Sequence, residues 1–242
     1  MKSPMPLGPL MIDIDSVELS AVDREVLKHP LVGGVILFSR NYDSIEQVSV
    51  LCDEIHRLRA EPLLLAVDHE GGRVQRFKEG FTPIPCMQML GECYQEDKEN
   101  ALNYARQVAW LMAMELRQVG VDFSFAPVLD IDYACSDVIG DRAFSSDKKI
   151  VVELAEAGMA SIGKHFPGHG AVAPDSHVAI PIDERSLEDI LQDDVYPFRQ
   201  LIQAGMKGIM PAHVIYQQVD EMPAGFSEFW FIHFLSIGYI SG

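Results

Sequence analysis

The chain has 242 residues, 48% of them hydrophobic and 23% charged, which suits one large domain with a sizeable buried core. Lys plus Arg number 19 against 36 Asp plus Glu, a net charge of −17. That balance opposes non-specific binding to nucleic acid or to an anionic membrane surface, and leaves a neutral ligand open.

Taken in order, the chain alternates short apolar runs with amphipathic stretches. No charged-then-apolar leader pattern is present in Met1 to Leu10. Leu10–Ile14 reads as the first strand. Ser20, with Asp23 three residues on, reads as a capped helix start. Gly34–Phe38 is rich in β-branched and bulky residues and reads as a buried strand. Ser44–Leu58 has Ile45, Val48, Leu51, Cys52 and Ile55 at helical spacing. Leu63–Val67 is the third strand, Glu99–Val119 a long helix, and Asp122–Val128 the fourth strand. A helix over Ile150–Met159 leads to a fifth strand, Ser161–Phe166. A helix over Leu187–Gln203 leads to a sixth, Gly208–His213.

Strands alternating with helices predict an α/β fold with a parallel sheet. Polar residues follow almost every strand: Asp13 and Asp15, Ser39 and Arg40, Asp68 to Arg73, Asp130 to Asp132, Lys164 to His169, and His213. So many functional ends on one side favour a TIM-type (β/α) barrel over an open doubly wound sheet. The six strands amount to about six of the eight β/α units, an incomplete barrel.

The densest chemistry lies in Lys164-His165-Phe166-Pro167-Gly168-His169-Gly170, followed by Asp175-Ser176-His177. Pro167, Gly168 and Gly170 oppose a regular helix, so these groups sit at a strand end and in the loop beyond it. Lys164 supplies a fixed cation with three donors. His177 titrates near neutrality, and Asp175 can orient its imidazole and stabilise the charged form. A plain solvated loop is the alternative, and the density of His, Lys, Asp and Gly argues against it.

A second stretch, Asp68-His69-Glu70-Gly71-Gly72-Arg73-Val74-Gln75-Arg76, sets an acceptor of vicinal hydroxyls and a donor fork around a glycine pair. Its bland counterpart is a turn closed by an internal Asp/Arg pair. The glycine spacing is not that of a dinucleotide fingerprint. A third stretch, Ile139 to Phe144, holds Arg142. Asp130 and Asp132 read as structural support, through a cap or turn, or as a carboxylate pair. Asp13 and Asp15 read similarly, and His29 and His56 show no role. His165, His169, Asp175 and His177 could be imagined around zinc, but Pro-Gly separates His165 from His169, so these two do not share a helical face, and no cysteine joins them; the expectation is no metal.

Lys-His-Phe-Pro-Gly-His-Gly followed by Asp-Ser-His resembles the signature of family 3 glycoside hydrolases, in particular their bacterial β-N-acetylhexosaminidases of peptidoglycan recycling. The resemblance runs from about Pro9 to Trp230. It implies a barrel and hydrolysis of terminal non-reducing N-acetyl-β-D-glucosamine from muropeptides, with retention of configuration and without a cofactor. It further implies His177 with Asp175 as the acid/base, and Asp68, Arg76, Arg142, Lys164 and His165 as sugar ligands. His213 falls on a strand-end position that lines the family's site.

Two departures from the family pattern stand out. Residues 231–242 contain no Asp or Glu, although the family's carboxylate nucleophile belongs to a stretch beyond Phe-Ser-x-x-Trp, here Phe226 to Trp230. The helix between Arg142 and Lys164 is about two turns short for the family, which would shift one residue relative to the other. The organisation expected is a family 3 barrel domain over residues 1–230 and a divergent apolar tail over 231–242. The rival reading is a truncated, inactive fragment or sugar-binding remnant. An incomplete barrel leaves its first and sixth strands as open edges that invite self-association, and the tail would either cover one edge or join two chains. The cysteines Cys52, Cys86, Cys93 and Cys135 are few and scattered, as in a cytoplasmic protein. The apolar run Phe229–Ile240 is too short to span a bilayer, and the expectation is a soluble chain.

Overall fold

The computed structural model describes residues 7–158, 162–173 and 181–234. Strand β1 is Leu10–Ile12 and ends before Asp13, which pairs with Arg40. Helix α1, Ala21–Val26, opens as its sequence predicts: Ser20 Oγ accepts the Asp23 N–H at 3.1 Å, and the Asp23 carboxylate accepts the Ser20 N–H at 2.8 Å. Two orphan donors are thereby satisfied reciprocally. Strand β2, Val32–Leu37, starts two residues earlier than the β-branched run suggests. Helix α2, Ile45–Arg57, is capped by Ser44 and buries Val48, Leu51, Cys52 and Ile55. Strand β3 is Leu64–Val67, followed by two short strands, β4 (His69–Gly71) and β5 (Val74–Gln75).

Helix α3, Met87–Glu96, was not anticipated; Met87, Leu90 and Gly91 supply its buried side. Helix α4 is Lys98–Gln118. The strand predicted over Asp122–Val128 survives only as β6, Phe123–Ser124, with an isolated bridge between Val128 and Lys164 further on. Pro127 lies between, and a proline cannot donate to a ladder. Helix α5, Lys148–Gly158, precedes strand β7, Ile162–Phe166; Met159 and Ser161 lie outside the described residues. Strand β8 is Ile182–Asp183.

The single helix expected over Leu187–Gln203 is two: α6 (Leu187–Gln192), capped by Ser186, and α7 (Val195–Gln203). Pro197 explains the break. In a continuous helix its missing N–H would forfeit a bond to Asp193, whereas in the first turn of a new helix that N–H has no intrahelical partner to lose. Strands β9 (Gly208–Pro211) and β10 (Ile215–Tyr216) follow, and Phe229–Phe234 closes the described chain as a wide helical turn. Of the apolar tail expected over 231–242, residues 235–242 lie outside the described part.

The residues form two compact units. The first comprises described residues within 1–69, 74–84 and 110–124; the second comprises 70–73, 85–109 and 125 onward. In the first unit four strands form a parallel sheet in the order β1-β2-β3-β6. Val35, Leu37, Leu65 and Val67 are fully buried there. Asp122 ties β6 to its neighbours by accepting the Leu65 N–H at 2.8 Å, with His56 Nε2 at 3.3 Å.

In the second unit β7 pairs in parallel with β9 and β8 with β10. Its aromatic core centres on Trp230, 1% exposed, edge-on to Phe166 at 5.7 Å and to Tyr216 at 5.4 Å between ring centres. Phe166 also meets Phe198 of α7 edge-on at 5.2 Å. Since Phe166 adjoins His165 in the strand, this packing fixes the backbone that carries the polar cluster described next. No helix among the described residues is long and apolar enough to cross a membrane.

Candidate active site

Glu70, at the centre of β4, is the hub of the second unit's polar cluster. It is 3% exposed and lies between two cations. Arg142 grips it with a fork: Nε donates to Oε2 and Nη2 to Oε1, both at 2.8 Å. The Lys164 ammonium pairs with the same Oε1, and Lys164 is itself 1% exposed. Burial alone would raise the Glu70 pKa; the Lys164 charge and the Arg142 hydrogen bonds outweigh it and hold the group down to about 2. The cluster is therefore a buried carboxylate, ionised at neutral pH, held between an ammonium and a guanidinium.

Strand β7 and the Val128 segment deliver the next pair. Leu129 N donates to Lys164 O at 2.6 Å and Lys164 N to Pro127 O at 3.2 Å, which aligns Asp130 with His165. Asp130 Oδ2 stands 2.7 Å from His165 Nδ1. Asp130 Oδ1 accepts the backbone N–H of His169 at 2.7 Å and that of His165 at 3.3 Å. The Asp130 side chain is fully buried. Burial would raise its pKa, but the facing imidazole and the His169 N–H lower it overall. Burial lowers the pKa of His165, and the Asp130 charge opposes that shift. Arg142 Nη2 lies 3.5 Å from His165 Nε2. His169 is 2% exposed, and neither ring nitrogen has a hydrogen-bond partner among the described residues.

In the first unit, Asp68 and Arg76 form a second pair, Oδ2 to Nη2 at 3.6 Å. Arg76 also stands over the Phe38 ring at 5.9 Å. Gly71 and Gly72, between Asp68 and Arg76 in sequence, have φ of 101° and 54°, values that favour glycine and bend the segment.

Of the residues singled out from sequence, Arg142, Lys164 and His165 come together, and Asp68 meets Arg76. Arg142 and Lys164 meet on Glu70, so the expected displacement of one from the other leaves both on one carboxylate. Asp175 and His177 lie outside the described residues. Asp132 is a turn residue, its Oδ1 accepting the Ala134 N–H at 2.8 Å, whereas Asp130 faces the cluster. His213 is exposed. Among the described residues no three His, Cys, Asp or Glu side chains are grouped to hold a metal ion.

The residue that sequence reasoning missed is Glu70. Its available signal was a second carboxylate, two residues after Asp68 and beside the Gly-Gly pair, in a chain whose cationic partners, Arg142 and Lys164, were both conspicuous.

The model of the glycosyl hydrolase family 3 N-terminal domain matches residues 10–236. A β-hexosaminidase of Thiobacillus denitrificans is 56% identical over 234 residues, 93% of this chain and 65% of that protein. One from Hydrogenovibrio crunogenus is 55% identical, with 93% and 66% covered. The chain thus spans just under two thirds of the length of these relatives. Among solved structures, Neisseria gonorrhoeae NagZ in complex with N-trifluoroacetyl-D-glucosamine superposes with a TM-score of 0.93 at 47% identity, over 96% of this chain and 71% of that one. A glycoside hydrolase family 3 β-N-acetylglucosaminidase from Paenibacillus superposes with a TM-score of 0.81 at 33% identity, over 88% and 42%. These likenesses bear out the predicted fold class, α/β of the (β/α)-barrel type and incomplete.

Proposed function

The chain belongs to glycosyl hydrolase family 3, and from that membership we propose that its polar cluster is the sugar site of a β-N-acetylhexosaminidase acting on terminal non-reducing N-acetyl-β-D-glucosamine. The observation that carries this reading is the convergence of Arg142, Lys164 and His165 around two buried carboxylates, Glu70 and Asp130. Rigid, desolvated donors of this kind suit hydroxyl and amide oxygens of a neutral sugar. Within the first unit, the Asp68 and Arg76 pair is an acceptor and a donor fork of the kind that vicinal hydroxyls take. The substrate class is a muropeptide of peptidoglycan recycling, in the cytoplasm; the four unpaired cysteines suit that compartment.

The reaction proposed retains configuration. His177, oriented by Asp175, protonates the glycosidic oxygen while a carboxylate attacks the anomeric carbon. Water, deprotonated by the same His177, then releases the sugar. The fixed cations hold the ring so that approach is in line.

One observation favours a second reading, a chain that binds the sugar without turning it over: residues 231–242, where the resemblance puts the nucleophile's stretch, contain no Asp or Glu. Hydrolysis of a chromogenic N-acetyl-β-glucosaminide, with His177→Ala as control, separates the two. Turnover that vanishes in His177→Ala supports the enzyme reading. Calorimetric binding of N-acetylglucosamine without turnover supports the second, and neither binding nor turnover would sink both.

A further inference from the structure

Arg142 and Lys164 share one chemical limit: a guanidinium and an ammonium can donate hydrogen bonds and accept none. Both Glu70 oxygens are engaged, Oε2 by Arg142 and Oε1 by Arg142 and Lys164. A sugar hydroxyl placed against these cations must still give its own proton to an acceptor. His165 is the neighbouring group that can provide one, and its side chain keeps 17% of its surface exposed.

Which ring nitrogen accepts is decided by Asp130. A carboxylate only accepts, so the 2.7 Å contact between Asp130 Oδ2 and His165 Nδ1 puts the proton on Nδ1. Burial and the cations Arg142 and Lys164 disfavour a second proton on the ring. The other groups facing the ring agree. Arg142 Nη2, a donor, is 3.5 Å from Nε2, a long contact on the single Nε2 lone pair that a hydroxyl at ordinary hydrogen-bond distance would replace, and the His169 ring is 6.0 Å away between centres.

We propose that Asp130 is a positioning residue that holds His165 in its Nδ1–H tautomer, so that His165 Nε2 is the hydrogen-bond acceptor for a sugar hydroxyl in this site. The proposal rests on the sugar-site reading above, and its tautomer half stands apart from it. In the family resemblance His165 is a sugar ligand; the structure adds which atom binds, in which sense, and what enforces it.

The geometry makes Asp130→Asn an informative variant. Asp130 Oδ1 already accepts two backbone N–H groups, from His165 and His169. The amide oxygen of asparagine takes that place, which turns its NH2 toward His165 Nδ1. Nδ1 must then accept, and the ring proton moves to Nε2, leaving the sugar hydroxyl without its acceptor.

The test is 15N spectroscopy of the full chain labelled at histidine, at pH 7, with His165→Gln assigning the signal. The expected result is a neutral His165 protonated at Nδ1, a changed Nε2 signal on adding N-acetylglucosamine, and in Asp130→Asn a flip to Nε2–H with affinity for N-acetylglucosamine roughly tenfold weaker by calorimetry. His165→Gln, whose amide oxygen still accepts, retains more affinity than His165→Lys, which only donates. An Nε2–H or doubly protonated ring in the unaltered chain overturns the tautomer. Full affinity in a flipped Asp130→Asn protein, or equal losses for His165→Gln and His165→Lys, overturns the acceptor role. An Nδ1–H ring in a chain that binds no N-acetylglucosamine overturns the sugar reading and leaves the tautomer standing.

Discussion

Arg142 and Glu70 stand 72 positions apart in sequence and meet through two parallel hydrogen bonds of 2.8 Å, with side chains 10% and 3% exposed. With Lys164 on the same carboxylate, two cations of the cluster share one buried counter-charge.

Glu70→Gln therefore leaves Arg142 and Lys164 buried with their shared charge removed. Breaking a buried pair from one side costs roughly 3–5 kcal/mol. The acid limb changes too. A carboxyl held down to about 2 from an ordinary 4.5 contributes stability above 4.5, and that contribution is lost as pH falls from 4.5 through 2. Urea unfolding between pH 6 and pH 2.5 should show a smaller acid loss in Glu70→Gln than in the unaltered chain. Equal slopes would remove Glu70 from the acid limb.

His69 behaves oppositely in chemistry but alike in sign. It is 1% exposed, against Phe77 and Phe81 at 6.0 and 5.6 Å between ring centres, and burial pushes its pKa down to about 4 from 6.5. The neutral ring is the folded form, so its contribution is full above pH 6.5 and is lost as pH falls toward 4, about 3 kcal/mol in all. His69→Phe keeps the aromatic packing and removes the titration. Its unfolding free energy should be flatter between pH 6.5 and 4 than that of the unaltered chain.

Gly170 lies where the chain after His169 runs against Ile131. A Cβ there would overlap the Ile131 carbonyl oxygen, which is backbone and has little room to move. Gly170→Ala should cost about 1–3 kcal/mol through overpacking, and should weaken N-acetylglucosamine binding because His169 and Asp130 share the strained segment. Unchanged melting and unchanged calorimetric affinity would show that the close approach is not needed.

Trp230 lies far along the chain from His165 yet packs on its neighbour Phe166. Trp230→Ala should destabilise by about 3–5 kcal/mol, the range for emptying a large aromatic site. Trp230→Phe, which retains part of the edge-on contact with Phe166 and Tyr216, should cost less. Denaturant titrations of the two variants decide it; equal losses would mean that the packing around β7 does not depend on ring contact.

The local elements were legible because local chemistry makes them. The reciprocal Ser20–Asp23 cap and the Ser44 cap each lie within a single turn, and the α2 core residues recur at helical spacing. The parallel α/β organisation followed from alternation alone. The apolar spacing over Leu187–Gln203 predicts one continuous helix and hides the restart that Pro197 requires. The apolar run Asp122–Val128 predicts a longer strand than β6, because the pattern does not register the donor that Pro127 lacks. Helix α3 was missed because its first turn follows Pro85 and Cys86 with no side-chain cap to announce it.

What the sequence alone determined is the inventory: which residues are cationic, which are titratable, and that Lys164 and His165 stand in a stretch that resembles the family 3 signature. It also determined the strand-and-helix order that puts Lys164 and His165 in β7. Only the tertiary structure decided which carboxylates serve them. Asp130 and Asp132 are two residues apart and chemically identical, yet one lies fully buried against His165 and the other closes a turn at Ala134. Glu70 and Arg142 carry no local mark of each other. Their pairing depends on a desolvated meeting point between distant segments, and the strength of a charge pair is set by that exclusion of water, which no stretch of either segment contains by itself.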